Sequence, residues 1–245
     1  MQIVVVADIH ANYRALKAVL DKYEKADEVW CLGDIVMCGP MPQTCTKLIR
    51  DRCRYSVLGN HDSAHVSLVR QIPQVCHDAY PPEEWHLEYL ENLPVSVKFE
   101  SDGRSYYLSH GGEEPIDRLV HWFNREHFEQ ALEFTGTDAI MIGHSHVAMI
   151  EKVGDKFLIN AGTVGQPTEG DYRAQCIVIE DGQFRLDRVE YNLDELAEDY
   201  SNSLMPKEHA DYYLQCTRQG FVTKHGIRRG PLSDSAIIPE VSEEK

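Results

Sequence analysis

Two histidines, His144 and His146, follow a short apolar run in the stretch AIMIGHSHV, which spans residues 139–147. The run has the length and composition of a buried strand, and Gly143 frees the backbone directly after it. Residues two apart in an extended segment face the same side, so the two imidazoles are expected to lie together at the strand end. Paired imidazoles in such a place are suited to binding a metal ion.

Four other apolar runs also end in side chains that bind metals or transfer protons. These residues are Asp8 and His10, Asp34, Asn60 and His61, and His110. Parallel sheets bind ligands at the carboxyl ends of their strands, where the loops converge, so one shared cleft is expected. Each residue alone is more simply explained as a helix cap, a turn residue or a hydrogen-bonded histidine. Five coinciding strand ends favour a common site over five separate explanations.

The residue types in this set indicate which chemistry the cleft supports. Carboxylate, carboxamide and imidazole groups without thiolates are typical of sites for first-row divalent metals. The candidate ligands outnumber one coordination sphere, so two ions that share a bridging carboxylate are the simplest arrangement. Two metals about 3.5–4 Å apart stabilise both the attacking and the leaving oxygens of a phosphoryl transfer. The pattern therefore predicts metal-dependent phosphoester chemistry.

The elements that position these residues alternate between strands and helices. In the first sixty residues, strands QIVVVA, EVWCLG and YSVLG alternate with helices NYRALKAVLDKYEK and PQTCTKLIRDRC, which predicts a parallel sheet. Residues 63–92 are predicted to form an irregular helical insertion, since three prolines interrupt them. Further on, a hairpin turns at Asp102-Gly103, a helix is predicted over 116–134, and strands follow to about residue 191. We expect a catalytic domain over 1–192 and a helical extension over 193–245 with a disordered end.

Composition limits the possible partners and the compartment. The chain has 245 residues with 24 basic and 40 acidic side chains, and its net charge of −16 disfavours nucleic acid as a partner. No apolar run approaches the roughly 20 residues that span a bilayer, so no membrane association is expected. The start MQIVVVADIH lacks the features of a signal peptide, and the seven cysteines are scattered. These features favour reduced thiols and a cytoplasmic location. They do not predict the oligomeric state.

The motifs D-I-H, GD, GNHD, H and GHSH occur in the order seen in the calcineurin-like metallophosphoesterases, which the chain resembles. The stretches ADIHAN, GDIVMCGP, VLGNHD and INAGTVGQP are similar to those of the bacterial and archaeal branch of short, stand-alone phosphodiesterase-like proteins. The resemblance runs from residue 1 to about residue 191. It implies an α/β fold, a four-layer α/β/β/α sandwich of two mixed sheets flanked by helices, with a bimetal centre between the loops.

The resemblance also implies a role for each residue of the motifs. One metal would be held by Asp8, His10 and His146, and the other by Asn60, His110 and His144, with Asp34 bridging. A metal-bridging hydroxide would be the nucleophile. His61 would protonate the leaving oxygen or stabilise charge on the phosphoryl group, oriented by Asp62. The expected cofactor is two divalent transition metal ions, with manganese favoured and iron, zinc, nickel or cobalt as alternatives.

Four single residues, and the stretch HGGEEP in place of the usual His-Gly-Ser-Pro after the fourth motif, depart from the pattern of that family. Ala11 stands where the family usually has glycine. In the stretch NAGTVGQPT, Ala161, Thr163 and Thr168 depart from the commoner Asn-Pro-Gly-Ser-Val-Gly-Gln-Pro-Arg, which puts phosphate contacts from this loop in doubt. None of the four is a proposed ligand.

The expected function is the hydrolysis of a small soluble phosphodiester. A phosphomonoesterase or a dinucleoside polyphosphate hydrolase is the alternative within the enzymes, and a non-catalytic scaffold of the same fold is the alternative outside them. The complete set of ligands, together with His61, favours the enzyme. The sequence leaves the role of Arg14 open, since it either contacts a phosphate or lies in solvent. His65 is expected to be a partly exposed histidine.

Overall fold

The computed structural model of the chain describes residues 1–71, 82–111, 115–120 and 123–221. The strands are β1 (Gln2–Val6), β2 (Glu28–Cys31), β3 (Tyr55–Ser56), β4 (Ser96–Ser101), β5 (Arg104–Ser109), β6 (Ala139–Ile142), β7 (Ala148–Val153), β8 (Lys156–Ala161), β9 (Ala174–Glu180) and β10 (Gln183–Val189). The helices are α1 (Tyr13–Lys22), α2 (Pro42–Arg52), α3 (Asn60–Gln71), α4 (Glu84–Glu91), α5 (Arg125–Thr135), α6 (Leu193–Asn202) and α7 (Lys207–Gln219), with a short 3-10 helix at Ile116–Leu119.

The strands form two five-stranded mixed sheets. The first sheet has the order β10-β9-β1-β2-β3, in which β1, β2 and β3 are parallel and β9 and β10 are antiparallel. The second has the order β4-β5-β6-β8-β7, in which β5, β6 and β8 are parallel. The predicted parallel arrangement of the first three strands is confirmed, and two antiparallel strands from the far end of the chain complete their sheet.

Side chains alternate across each central strand and so create the layers. In β1, Val4 packs towards the helices of the first sheet, whereas Ile3 and Val5 pack between the two sheets. In β6, Met141 packs between the sheets and Ile140 packs against α5. This period of two places one apolar layer between the sheets and one outside each sheet. The predicted four-layer α/β/β/α sandwich is confirmed.

Two predicted elements differ from the structure. The stretch YSVLG pairs as a strand only at Tyr55–Ser56, and α3 begins at Asn60, so the GNHD motif opens a helix. The helix predicted over 116–134 is divided into the 3-10 helix and α5. Its boundary is set by Asn124, whose side chain accepts a hydrogen bond from His127 N and caps α5. Much of the predicted insertion and of the extension is helical, but residues 72–81 and the predicted disordered end lie outside the described residues. Among the described residues, no helix is long and apolar enough to cross a membrane.

Candidate metal centre

In the loops that follow β1, β2 and β6, five of the predicted site residues adopt an unusual backbone conformation. Positive φ angles between 48° and 70° occur at Asp8, His10, Asp34, His144 and His146. Residues other than glycine adopt this region at a cost, so the surrounding structure must hold them there. Backbone hydrogen bonds between the loops after β1 and β2 contribute to this constraint. Asp8 N donates to Gly33 O at 3.0 Å, and His10 N donates to Asp34 O at 2.9 Å.

The first set of predicted ligands, which we name the inner group, consists of Asp8, His10 and His146. All three are buried, with at most 1% of each residue exposed. His146 Nε2 lies 2.9 Å from Asp8 Oδ1 and 3.1 Å from His10 Nε2. His10 Nε2 in turn lies 3.7 Å from Asp8 Oδ1. The structure therefore brings all three predicted side chains to one point.

The second set, which we name the outer group, consists of Asn60, His110 and His144. Asn60 Oδ1 lies 3.0 Å from His110 Nε2 and 2.7 Å from His144 Nδ1, and the two ring nitrogens are 3.2 Å apart. His110 is buried, but His144 is only partly buried and Asn60 is exposed. The outer group is therefore equally convergent but open to solvent.

Asp34 lies between the two groups. Its Oδ2 atom is 3.7 Å from His10 Nε2 of the inner group and 3.3 Å from His110 Nε2 of the outer group. Its other oxygen, Oδ1, accepts a hydrogen bond from His61 N at 2.8 Å. The carboxylate is thus fixed by the backbone on one side and presented to both groups on the other, as a bridging ligand requires.

The hydrogen bonds behind two of the imidazoles direct their lone pairs into the centre. His110 Nδ1 donates to Leu32 O at 2.7 Å, and His146 Nδ1 donates to Gln166 O at 3.0 Å, because a carbonyl can only accept. In the neutral ring, Nε2 then carries a lone pair that points at the carboxylates. Asp8 Oδ1 and Asp34 Oδ2 are buried and accept no hydrogen bond within the described residues. Once His110 has lost its Nε2 proton, these electron-rich atoms converge with lone pairs directed at one another, an arrangement that fits divalent cations.

Burial and charge shift the protonation of these groups in the metal-free protein. Burial lowers the pKa of His10 to about 3. Burial also disfavours charge on His110, but the adjacent Asp34 carboxylate outweighs it and raises the pKa of His110 to about 9. Burial by itself raises the pKa of Asp8 and of Asp34, yet the neighbouring histidines hold both carboxyl pKa values well below their usual range.

The family model for the calcineurin-like phosphoesterase superfamily domain matches residues 1–182, well over half of the chain. The chain belongs to this superfamily. It is accordingly a metal-dependent phosphoesterase, and the side chains brought together here are suited to binding the metal on which the family depends.

Similar proteins come from bacteria and archaea. This phosphoesterase is 28% identical over 232 residues to an uncharacterized protein of Methanocaldococcus jannaschii, a match that covers 84% of this chain and 94% of that protein. The crystal structure of a metallophosphoesterase from Sphaerobacter thermophilus is 28% identical, with a TM-score of 0.69, and the match covers 89% of this chain and 100% of that one. A hypothetical protein from Pyrococcus horikoshii has a TM-score of 0.69 over 86% of this chain and 97% of its own; at 16% identity, it shows the shared fold alone.

His61 and Asp62 lie at the start of α3, beside the centre of the phosphoesterase. The His61 ring meets the His10 ring edge-on, with the centroids 4.8 Å apart, and is partly exposed. Asp62 is buried and accepts hydrogen bonds from Ile35 N, Val36 N and Gly59 N at 2.8–3.1 Å. Burial, followed by repulsion from Asp34, raises the pKa of Asp62 to about 7. Asp62 thus joins the loop after β2 to the start of α3, and the catalytic roles of both residues stay predictions.

The NAGTVGQPT loop lies behind the predicted ligands Asp8 and His146 and supports their backbone. Thr163 Oγ1 donates to Asp8 O at 2.8 Å, and Thr168 Oγ1 donates to His146 O at 3.1 Å. Both threonines and Ala161 are buried, so the described contacts of this loop fix ligand backbones. Sequence reasoning missed this function and that of Gln166, because hydrogen bonds to backbone atoms leave no signature in side-chain type. Ala11 is buried with φ 55°, which explains why glycine is the usual residue there.

The structure also shows where Arg14 and His65 lie: Arg14 forms ion pairs, and His65 is buried. Arg14 is paired with Asp199 and Glu195 of α6, at 2.7 and 2.5 Å, and is therefore held on the helical side of the molecule. The expectation that His65 is partly exposed is wrong. His65 is 3% exposed and packs against His86 of α4, with the Nε2 atoms 3.2 Å apart. A helix that packs on α3 was not foreseeable from the spacing of His65 alone.

Proposed function

We propose that the phosphoesterase hydrolyses a small soluble phosphodiester at a centre of two divalent transition metal ions. The observation that carries this proposal is the pair of converging ligand groups that share one carboxylate, Asp34. One ion would be held by Asp8, His10 and His146, and the other by Asn60, His110 and His144. Manganese is the first candidate to test, and the oxygen and nitrogen donors also suit iron, zinc, nickel or cobalt.

Each residue of the centre has a task in this mechanism. When bound, the two cations supply Lewis acidity that polarises the phosphoryl group and acidifies the attacking water. His61 lies on the exposed side, where it would donate a proton to the leaving oxygen. The hydrogen bond from His61 N to Asp34 fixes the start of α3 relative to the bridging carboxylate, so the proton donor keeps its place beside both ligand groups. Asp62 would support this by holding the same segment to the loop after β2.

Charge supports a small diester over a polynucleotide or a monoester. With 40 acidic and 24 basic side chains, the protein repels polyanions, and binding a duplex requires many cationic contacts. A monoester carries nearly two negative charges at neutral pH, whereas a diester carries one, so an acidic molecule disfavours the diester less. The scattered cysteines further lead us to propose a cytoplasmic location.

A metal-loaded substrate panel tests the proposal. Protein purified without chelator and reloaded with manganese should approach two ions per chain by metal analysis. Turnover is then compared on aryl and nucleotide diesters, the matching monoesters, dinucleoside polyphosphates, and single- and double-stranded DNA and RNA, at about 0.15 M salt. We expect the highest kcat/KM on a small diester. A protein that binds no metal even at saturating manganese would overturn the proposed metal centre. A higher kcat/KM on monoesters or on long nucleic acid would overturn the proposed substrate class.

A further inference from the structure

The helices α6 and α7 lie beyond the family-matched residues 1–182, yet they contact the segments that carry the metal centre. Arg14 follows the first motif by four positions and forms a two-pronged ion pair with Asp199, with Nε to Oδ2 at 2.7 Å and Nη2 to Oδ1 at 2.8 Å. Glu195 pairs with the same guanidinium. Because the Asp199 side chain is only 10% exposed, this pair is shielded and fixes α6 against α1.

The second contact is to the loop between β2 and α2. Met37 and Cys38 in this loop have φ angles of 68° and 69°, a conformation that must be held from outside. The buried Tyr200 of α6 donates its hydroxyl to Cys38 O at 3.2 Å. Tyr213 of α7 forms a side-chain hydrogen bond with Cys38. One tyrosine from each helix of the extension therefore converges on the same strained residue.

The loop that the tyrosines hold is in contact with the catalytic side. The sulfur of Cys38 and one ring nitrogen each of His10 and His61 all lie within 4.8 Å of one another. Gly39 approaches the chain so closely that an added Cβ would lie 2.2 Å from His10 O, and Met41 N donates to Ala11 O at 3.1 Å. A shift of the loop is therefore transmitted to the segment bearing His10 and to the His61 ring.

The C-terminal end of α7 contacts a second loop of the centre. Gly220 ends α7 with φ 72°, and its carbonyl accepts from Gly170 N at 3.0 Å. A Cβ at Gly220 would lie 2.5 Å from Asp171 N, so only glycine permits this approach. The contacted loop continues back to Gln166, whose carbonyl orients His146. The extension thus supports the centre at two separate loops.

We propose that Tyr200 and Tyr213 are positioning residues, which place the Cys38 loop and through it the proton-donating His61. The helical extension is on this basis part of the catalytic unit and not an appended module. The inference rests on the proposed function of the site for its effect on turnover, but the placement of the loop itself is measurable without a substrate.

The first experiment measures loop placement directly. Full-length, manganese-loaded protein is treated with iodoacetamide, and the alkylation rate of Cys38 is followed by peptide mass spectrometry. Tyr200→Phe removes the hydrogen bond to the Cys38 carbonyl and should raise the rate about 3- to 10-fold. Tyr213→Phe should also change the rate, but it removes a bond to the thiol itself, so the Tyr200 variant decides on loop placement. Tyr212→Phe, on the exposed side of α7, is the matched control and should leave the rate unchanged. Equal rates in all four proteins would overturn the proposal.

The second experiment separates positioning from general destabilisation. Tyr200→Phe should keep its metal content and lower kcat about 3- to 10-fold on a diester with a poor leaving group, with little change in KM. In a His61→Ala background the same substitution should cause no further loss, because the proton donor that it places is gone. An equal loss in both backgrounds would overturn the role. If Tyr200→Phe does not fold, the same comparison in the wild-type and His61→Ala backgrounds is made with Tyr213→Phe. A wild-type protein that cleaves no phosphoester would sink the proposed function, and the alkylation rates would still decide on the loop.

Discussion

The inner and outer ligand groups have similar chemistry but different surroundings. Asp8, His10 and His146 are buried, and the backbone carbonyls of Asp8 and His146 are held by threonine hydroxyls. In the outer group, Asn60 is exposed and His144 is partly buried. The groups meet at a single atom, Asp34 Oδ2. For the proposed two-ion centre, this difference predicts one enclosed ion that organises the loops and one accessible ion at which substrate and solvent exchange.

Removing the shared carboxylate should cancel the difference between the groups and have the largest effect. Asp34→Ala deletes a ligand from both, and we expect metal content to fall from about two ions towards zero, with activity lower by about 10⁴-fold or more. Metal analysis and kcat/KM on a small diester check this. Asp155→Ala, in the exposed turn between β7 and β8, is the matched control. Retention of one tightly held ion in Asp34→Ala would show that the carboxylate is not shared.

Removing the proposed proton donor, His61, should leave both groups intact. His61→Ala should keep its metal, while turnover falls by roughly 10²–10⁴, the range for lost general acid catalysis. The loss should shrink for esters of nitrophenol, which leave without protonation. The measurement is kcat across a series of leaving groups, with metal content determined on the same samples. Equal losses for every leaving group would instead assign His61 to positioning the phosphoryl group.

The sequence was sufficient to predict which side chains converge at the candidate centre, because each of them follows an apolar run that contains a strand of the sandwich. It could not predict the positive φ of Asp8 or His144, since both result from hydrogen bonds between loops. The backbone contacts of Asp62 and Thr163 were missed for the same reason. The extension begins with helix α6, but the contact of Tyr200 in this helix with Cys38 joins residues 162 positions apart. Such contacts are fixed by the packing of the completed fold.

Substitution within each group should separate the two ions. We expect His144→Ala to lose mainly the outer ion and His146→Ala mainly the inner ion, with about one ion per chain retained in each. Graded chelation of the unmodified protein, followed by metal analysis, should remove one ion well before the other. The ion that leaves first should be the one that His144→Ala lacks. Simultaneous loss of both ions at every chelator concentration would contradict independent inner and outer positions.

The smallest effect is a difference in how the two ions depend on pH. In the metal-free protein, the pKa of His110 is raised to about 9 by Asp34, whereas the pKa of His10 is lowered to about 3 by burial. The charged His110 beside Asp34 stabilises the metal-free fold below its ordinary pKa of about 6.5, and this contribution is lost as pH rises through about 9.

Metal binding has the opposite dependence, because a cation can occupy the outer group only when His110 has released its proton. Affinity for the outer ion should therefore rise with pH up to about 9, and the His110 proton adds about a factor of ten per pH unit relative to affinity for the inner ion. Calorimetric titration of manganese into metal-free protein at pH 6, 7 and 8, in buffers of different ionisation enthalpy, counts the protons released by each ion. His110→Asn, which cannot take up that proton, should abolish the difference in slope. Identical slopes for the two ions in the unmodified protein would show that the outer group is not distinguished by His110.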